Sequence, residues 1–218
     1  MKKLILVCLV CLLSSNLSFS EVHNVPDDFE TIQAAIDASS DEDEIRVSAG
    51  RYEEILTIIN LDVDIIGNPE DPSSVVIDGA QSGVVITYSG DVDNNTILDG
   101  FTITGGEDDQ RSAGGIRCNN TSPILRNLIV TENIGARGGG ILVEDGNPAI
   151  RDVLITNNNS AGYGGGITLM GAASPVMNNL MIRNNESVNR GGGLASFSRG
   201  RPELHGSEIS NNNSDNNG

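Results

Sequence analysis

Three clusters of side chains in this chain of 218 residues have the types and spacing to do chemistry. Asp91-Val92-Asp93-Asn94-Asn95 offers alternate oxygen ligands at Asp91, Asp93 and Asn95, hard donors of the kind Ca2+ takes. The stretch lacks the glycine and closing glutamate of an EF-hand loop, and a solvated turn explains the same residues. Glu107, Asp108 and Asp109 with Arg111 form a charged turn that could hold a ligand, with an ordinary exposed loop as the alternative. Arg126, Arg151 and His205 each lie three residues after a proline, and Asn178 is the matching residue after Pro175. If these positions stack, they form a partly basic column able to grip an anionic sugar chain. The competing reading is that the arginines relieve crowding among neighbouring acids.

Acid–base work by paired carboxylates needs two acids facing one groove at a fixed separation. The repeat described below aligns Asp152 with Asn127, Asn179 and Gly206, and Glu144 with Asn119, Met170 and Phe197, so neither set supplies a pair. Only two histidines exist, His23 and His205, which leaves no basis for a His-based triad or a zinc site. No catalytic residue is identified.

The elements that would stack these columns come from a motif written four times. Gly114-Gly115-Ile116, Gly138 to Ile141, Gly164 to Ile167 and Gly191 to Leu194 are each followed by a proline: Pro123, Pro148, Pro175 and Pro202. The steps between prolines are 25, 27 and 27 residues. From each proline the same types return: Leu125, Ile150, Met177, Leu204; then Val130, Ile155, Ile182, Ile209; then Asn133, Asn158, Asn185, Asn212. Apolar and polar residues alternate, so the segments are short strands. A fixed period in this range with no intervening helix predicts stacked coils, each strand pairing with its counterpart one repeat later. The predicted fold is an all-β parallel β-helix over residues 45–218, with three short strands per coil and about seven coils at roughly 26 residues each. The four returning asparagines fit a stacked amide ladder.

Residues 21–44 read as an N-terminal capping segment. Its amphipathic helix is expected over Val25 to Ala38, with Asp27 as N-cap, Glu30 completing a capping box, and Phe29, Ile32, Ala35 and Ile36 as the apolar face. Such a helix would cover the open end of the first coil. Residues 1–20 read as a secretory signal peptide: Lys2-Lys3, an apolar run from Leu4 to Leu13, then Ser18-Phe19-Ser20. Cys8 and Cys11 fall in it, leaving Cys118 as a lone inward thiol and no disulfide. Both lysines fall in it too, so the remaining chain has 11 arginines against 30 acids, a formal charge of −19. That charge argues against nucleic acid and anionic membrane as partners. At the other end, Asn211 to Gly218 parallels Asn157 to Gly164 and stops at the first glycine of another coil, which predicts a truncated solenoid.

Val25 to Ala38, Ile45 to Tyr52, Val76-Ile77-Asp78-Gly79 and Leu98 to Ile103 resemble the N-terminal part of secreted right-handed β-helix proteins of the pectin-lyase-like superfamily. The Gly-Gly-Gly-Ile and Ile-x-x-Asn pairs are also similar to repeats of chlamydial polymorphic outer-membrane proteins, which are surface-exposed adhesins. The resemblance implies a right-handed coil and a secreted or cell-surface location. It implies two functional classes. The first is a binding or structural module, adhesin-like or carbohydrate-binding, whose partner is polysaccharide or a host or neighbouring cell surface. The alternative is a polysaccharide lyase or glycoside hydrolase acting on acidic polysaccharide. Superfamily lyases use calcium held by aspartates with an arginine base, hydrolases use two or three aspartates on adjacent coils, and esterases an aspartate pair. The segment is not expected to be an integral membrane protein.

Overall fold

The computed structural model describes residues 20–110 and 112–216. The signal-peptide reading of residues 1–20 falls outside them except for Ser20, as do Arg111 and the last two residues. Short alternating segments cannot bury an apolar face alone, so they do it by stacking. The strands form three parallel sheets of twelve, six and five strands among the described residues. Leu125 is flanked by Leu98 and Ile150, Leu128 by Phe101 and Val153, and Val130 by Ile103 and Ile155. In the six-stranded sheet Ile116, Ile141, Ile167 and Leu194 stack, beside Cys118, Val143 and Leu169. All of these are fully or nearly fully buried except Leu194, which is partly buried against the core. The protein is a parallel β-helix.

Six strands cross the six-stranded sheet, so the described solenoid has about six turns, not seven. The shortfall comes from the early coils. Register partners Leu56, Ile86 and Ile116 are 30 residues apart, whereas Ile116 to Ile141 is 25.

The strands Ile97–Thr104, Ile124–Thr131 and Ala149–Thr156 are long because each bends once without leaving the sheet. The bends fall at Gly100, Asn127 and Asp152, with φ of 83°, 50° and 56°. One left-handed residue resets the pleat, so Arg126 points out and Leu128 again points in. Asn179 and Gly206 occupy the same corner one and two coils later. A second corner column is Gly105, Glu132, Asn157, Asn184 and Asn211. Asn, Asp and Gly recur at these corners because they tolerate the left-handed region best. The aligned set Asn127, Asp152, Asn179 and Gly206 is therefore a backbone corner, not a row of potential acids.

Directly after the second corner the chain turns inward at Asn133, Asn158, Asn185 and Asn212. The first three are buried, and their amides bond in series: Asn133 Nδ2 to Asn158 Oδ1 at 3.1 Å, then Asn158 to Asn185 and Asn185 to Asn212 at 3.0 Å. Gly106 N–H ends the series, donating to Asn133 Oδ1 at 2.9 Å.

The N-terminal segment departs from expectation. Val22–Val25 is a strand of the largest sheet, paired with Glu44–Val47, and the helix starts only at Ile32, running to Ala38. Its N-cap is Thr31, whose hydroxyl accepts from Ala34 N–H at 3.1 Å. Asp27 and Glu30 lie before it, and Asp27 is not the cap. The Ile32 and Gln33 N–H groups donate instead to the Glu54 carboxylate at 3.0 and 2.9 Å. A carboxylate twenty-odd residues away satisfies the helix N-terminus, which local spacing cannot reveal. Ile32, Ala35 and Ile36 are buried, as the apolar face requires.

Candidate functional site

Parallel register places Asp99, Arg126, Arg151, Asn178 and His205 in one outward column of the largest sheet. Adjacent members are separated by the strand spacing of about 4.8 Å. Arg126 Nε donates to Asp99 Oδ2 at 2.6 Å, and Asn127 Nδ2 donates to Asp99 Oδ1 at 2.7 Å. Asp99 is only 3% exposed, so this pair is firmly held at the wall. At the opposite end His205 Nε2 sits 3.1 Å from Glu203 Oε2, both exposed. Between them the half-buried Arg151 has no ion pair among the described residues. The column thus carries, between the Asp99–Arg126 ion pair and the exposed His205–Glu203 contact, one guanidinium without an ion pair among the described residues.

Apolar rows border the column. Ile97, Ile124, Ala149 and Val176 run along one side, and Ile129, Leu154 and Met181 run beyond the corner. Asp152, Leu154, Asn179, Met181 and Glu208 line a shallow groove of about 410 Å3 there. Above the column, Asp64 Oδ1 accepts the Ile97 N–H at 3.1 Å. Burial pushes the Asp64 carboxyl above its ordinary range against that hydrogen bond, with Glu44 and Asp99 adding to the rise and Arg126 opposing it.

In the acidic clusters the Asp93 and Asp108 carboxylates accept local backbone N–H groups. Asp93 Oδ1 accepts Asn95 N–H at 2.7 Å, and Asp91 N–H donates to Asn60 Oδ1 at 2.9 Å. Asp62 Oδ1, one coil before, accepts Thr96 Oγ1 at 2.9 Å. Among the described residues no three His, Cys, Asp or Glu side chains gather to hold a metal. Glu107–Asp108 is a short strand paired with Ile134 and Gly135, not a free loop. Asp108 Oδ1 accepts Gln110 and Ser112 N–H at 2.8 and 3.2 Å, and Asp109 accepts the Gln110 amide at 2.6 Å. Arg111 lies outside the described residues. Cys118 is buried, its thiol pushed up to about 12 by burial, which makes it inert.

Sequence reasoning missed Asp99 and Asp64. The signal for Asp99 was present: Leu98, Phe101 and Ile103 align with Leu125, Leu128 and Val130, so Asp99 must fall in register with Arg126. Asp64 carried no such signal, because the early coils are longer and its outward neighbour is Ile97.

No protein-family profile matches the chain, and no curated protein does. Two solved structures of pectin methylesterase from Aspergillus niger are similar to it in structure. The penultimately deglycosylated form is 15% identical with a TM-score of 0.41, and the deglycosylated form 14% with 0.39. Each comparison covers 88% of this chain and 85% of the other.

Proposed function

We propose that this chain is a secreted or cell-surface β-helix module that binds acidic polysaccharide along the outward column of its largest sheet. The observation that supports this is Arg151, an uncompensated guanidinium held in register between the Asp99–Arg126 pair and Asn178. A guanidinium offers a carboxylate two parallel donors. Apolar rows on both sides of the column suit the CH faces of an extended sugar chain. Lys2-Lys3 followed by the apolar run supports export. Titration with polyuronate at low and at physiological salt tests the reading. Arg126→Ala with Arg151→Ala is expected to weaken binding about tenfold, roughly one charge-assisted hydrogen bond. No affinity at low salt, or a double variant that binds like the parent, sinks it.

One observation favours a second reading, hydrolysis of that polysaccharide. Asp64 and Asp99 lie on adjacent coils with opposed environments: burial disfavours charge on Asp64, while Arg126 and Asn127 bond the Asp99 carboxylate. A carboxyl whose burial favours the protonated form, one coil from a hydrogen-bonded carboxylate, suits the acid of an acid–base pair. Turnover of a polysaccharide panel, lost in both Asp64→Asn and Asp99→Asn, would establish it.

A further inference from the structure

Six aromatic side chains fall among the described residues, and four of them serve the core or the N-terminal cap: Tyr88, Phe101, Tyr52 and Phe29. The other two meet on the surface. Tyr163 and Phe197 pack edge to face with ring centroids 4.8 Å apart at 64°, and Phe197 is 41% exposed. They come from different sheets. Tyr163 ends the strand Asn159–Tyr163 of the five-stranded sheet, and Phe197 follows the strand Leu194–Ser196 of the six-stranded sheet.

The repeat explains how they meet. Tyr163 is in register with Arg137 before it and Arg190 after it, giving one wall with the order Arg, Tyr, Arg. The facing wall is Glu144, Met170 and Phe197. Arg137 Nη1 reaches Met170 Sδ at 3.7 Å, the same diagonal that Tyr163 makes to Phe197 one coil later. Among the described residues neither Arg137 nor Arg190 makes an ion pair. The nearest acid on the facing wall, Glu144, is already taken by Arg117 at 3.0 and 2.8 Å. The flank is therefore locally cationic on an acidic protein. With a screening length of about 8 Å at physiological salt, local charge governs contact there.

From this geometry we infer that the flank is a second saccharide site, an aromatic–arginine platform for a uronate oligosaccharide. One sugar ring lies against the exposed Phe197–Tyr163 pair. The carboxylates of the flanking sugars reach Arg137 and Arg190, which are two coils, about 10 Å, apart along the wall. Arginine binds a planar carboxylate bidentately, which selects uronates over neutral sugars. The site rests on the reading of the protein as a polysaccharide binder but uses different sheets from the Arg126–Arg151 column.

The test is calorimetric titration of the full chain with a short oligogalacturonate, and with the neutral galacto-oligosaccharide of equal length as control. With Arg126→Ala and Arg151→Ala removing the column site, one oligouronate binding event is expected to remain, and adding Phe197→Ala, or Arg137→Gln with Arg190→Gln, is expected to weaken that event about tenfold. Phe197→Leu keeps the apolar bulk without the aromatic face and is expected to behave like Phe197→Ala, with thermal melting showing that both fold. If the platform variants bind like the parent and only the column variant loses affinity, the platform is overturned and the column stands. Equal affinity for the neutral oligosaccharide overturns the uronate assignment. No binding of either sugar overturns both sites.

Discussion

Asn158 Nδ2 donates at 3.0 Å to Asn185 Oδ1 in the next coil and at 2.9 Å to the Val130 carbonyl in the previous one. Asn158 Oδ1 meanwhile accepts the Asn133 backbone N–H and amide, both at 3.1 Å. A single buried side chain thus ties three coils together. Replacing it leaves the Asn133 N–H without its acceptor and removes one donor each from the Val130 carbonyl and from Asn185 Oδ1, which keeps only the residue-158 N–H. Asn158→Ala is expected to cost about 3 kcal/mol. A urea titration checks this, and a loss below about 1 kcal/mol would show that water replaces the amide.

The residue just before it behaves differently. Asn157 is exposed and held at φ 56°, with its side chain free of hydrogen bonds among the described residues. Asn157→Gly is expected to leave stability nearly unchanged, whereas Asn157→Val should cost about 1–2 kcal/mol through left-handed strain. Equal melting of the two variants would contradict the corner assignment.

These neighbours show what the sequence made legible. The inward rows and the ladder positions could be read because each depends on one type recurring at a fixed step. The set Asn127, Asp152, Asn179 and Gly206 also recurred and supplied no carboxylate pair, but three residue types fill one backbone need, so its role as a corner did not show. Glu54 at the helix N-terminus and Tyr163 against Phe197 were hidden for another reason. Each contact joins different kinds of segment, and no step along the chain relates them.

Tyr88 stacks on Cys118 in the next coil, fully buried, and its hydroxyl has no partner among the described residues. Burial drives the phenol's pKa upward. Tyr88→Phe removes an unmet polar group without changing shape and is expected to stabilise by about 1 kcal/mol. A lowered melting temperature would refute this and mean that the hydroxyl is bonded in solution.

Two aspartates should respond to pH in opposite senses. At Asp43 burial raises the carboxyl pKa, but N–H donors from Glu21 and Ser40 at 2.7 and 2.8 Å, with His23 nearby, outweigh it and hold the group below its ordinary value. Its contribution is present above the unfolded pKa of about 3.9 and is lost as pH falls through the folded value below that. Asp43→Asn should therefore destabilise at neutral pH and approach the parent in acid. Asp64 is raised, so its charge costs stability above the folded pKa, and the cost fades as pH falls towards the unfolded value. Asp64→Asn keeps an oxygen for the Ile97 N–H and should melt higher than the parent at pH 7, with the gap closing in acid. Melting curves of both variants from neutral to acid pH decide the matter, and matching trends would refute the assignment.

The strand partners of this solenoid lie one coil apart along the chain, and their hydrogen bonds run along its axis. Tension between the two ends therefore pulls each bond in the direction in which it opens, one coil at a time, instead of shearing whole strands together. Each peeled coil frees about 90 Å of chain, some 26 residues at roughly 3.4 Å each. The protein should yield to axial load one coil at a time at low force, with the asparagine ladder as an added grip in the coils from Asn133 to Asn212. Load across the axis meets all three sheets at once and finds the same molecule stiff.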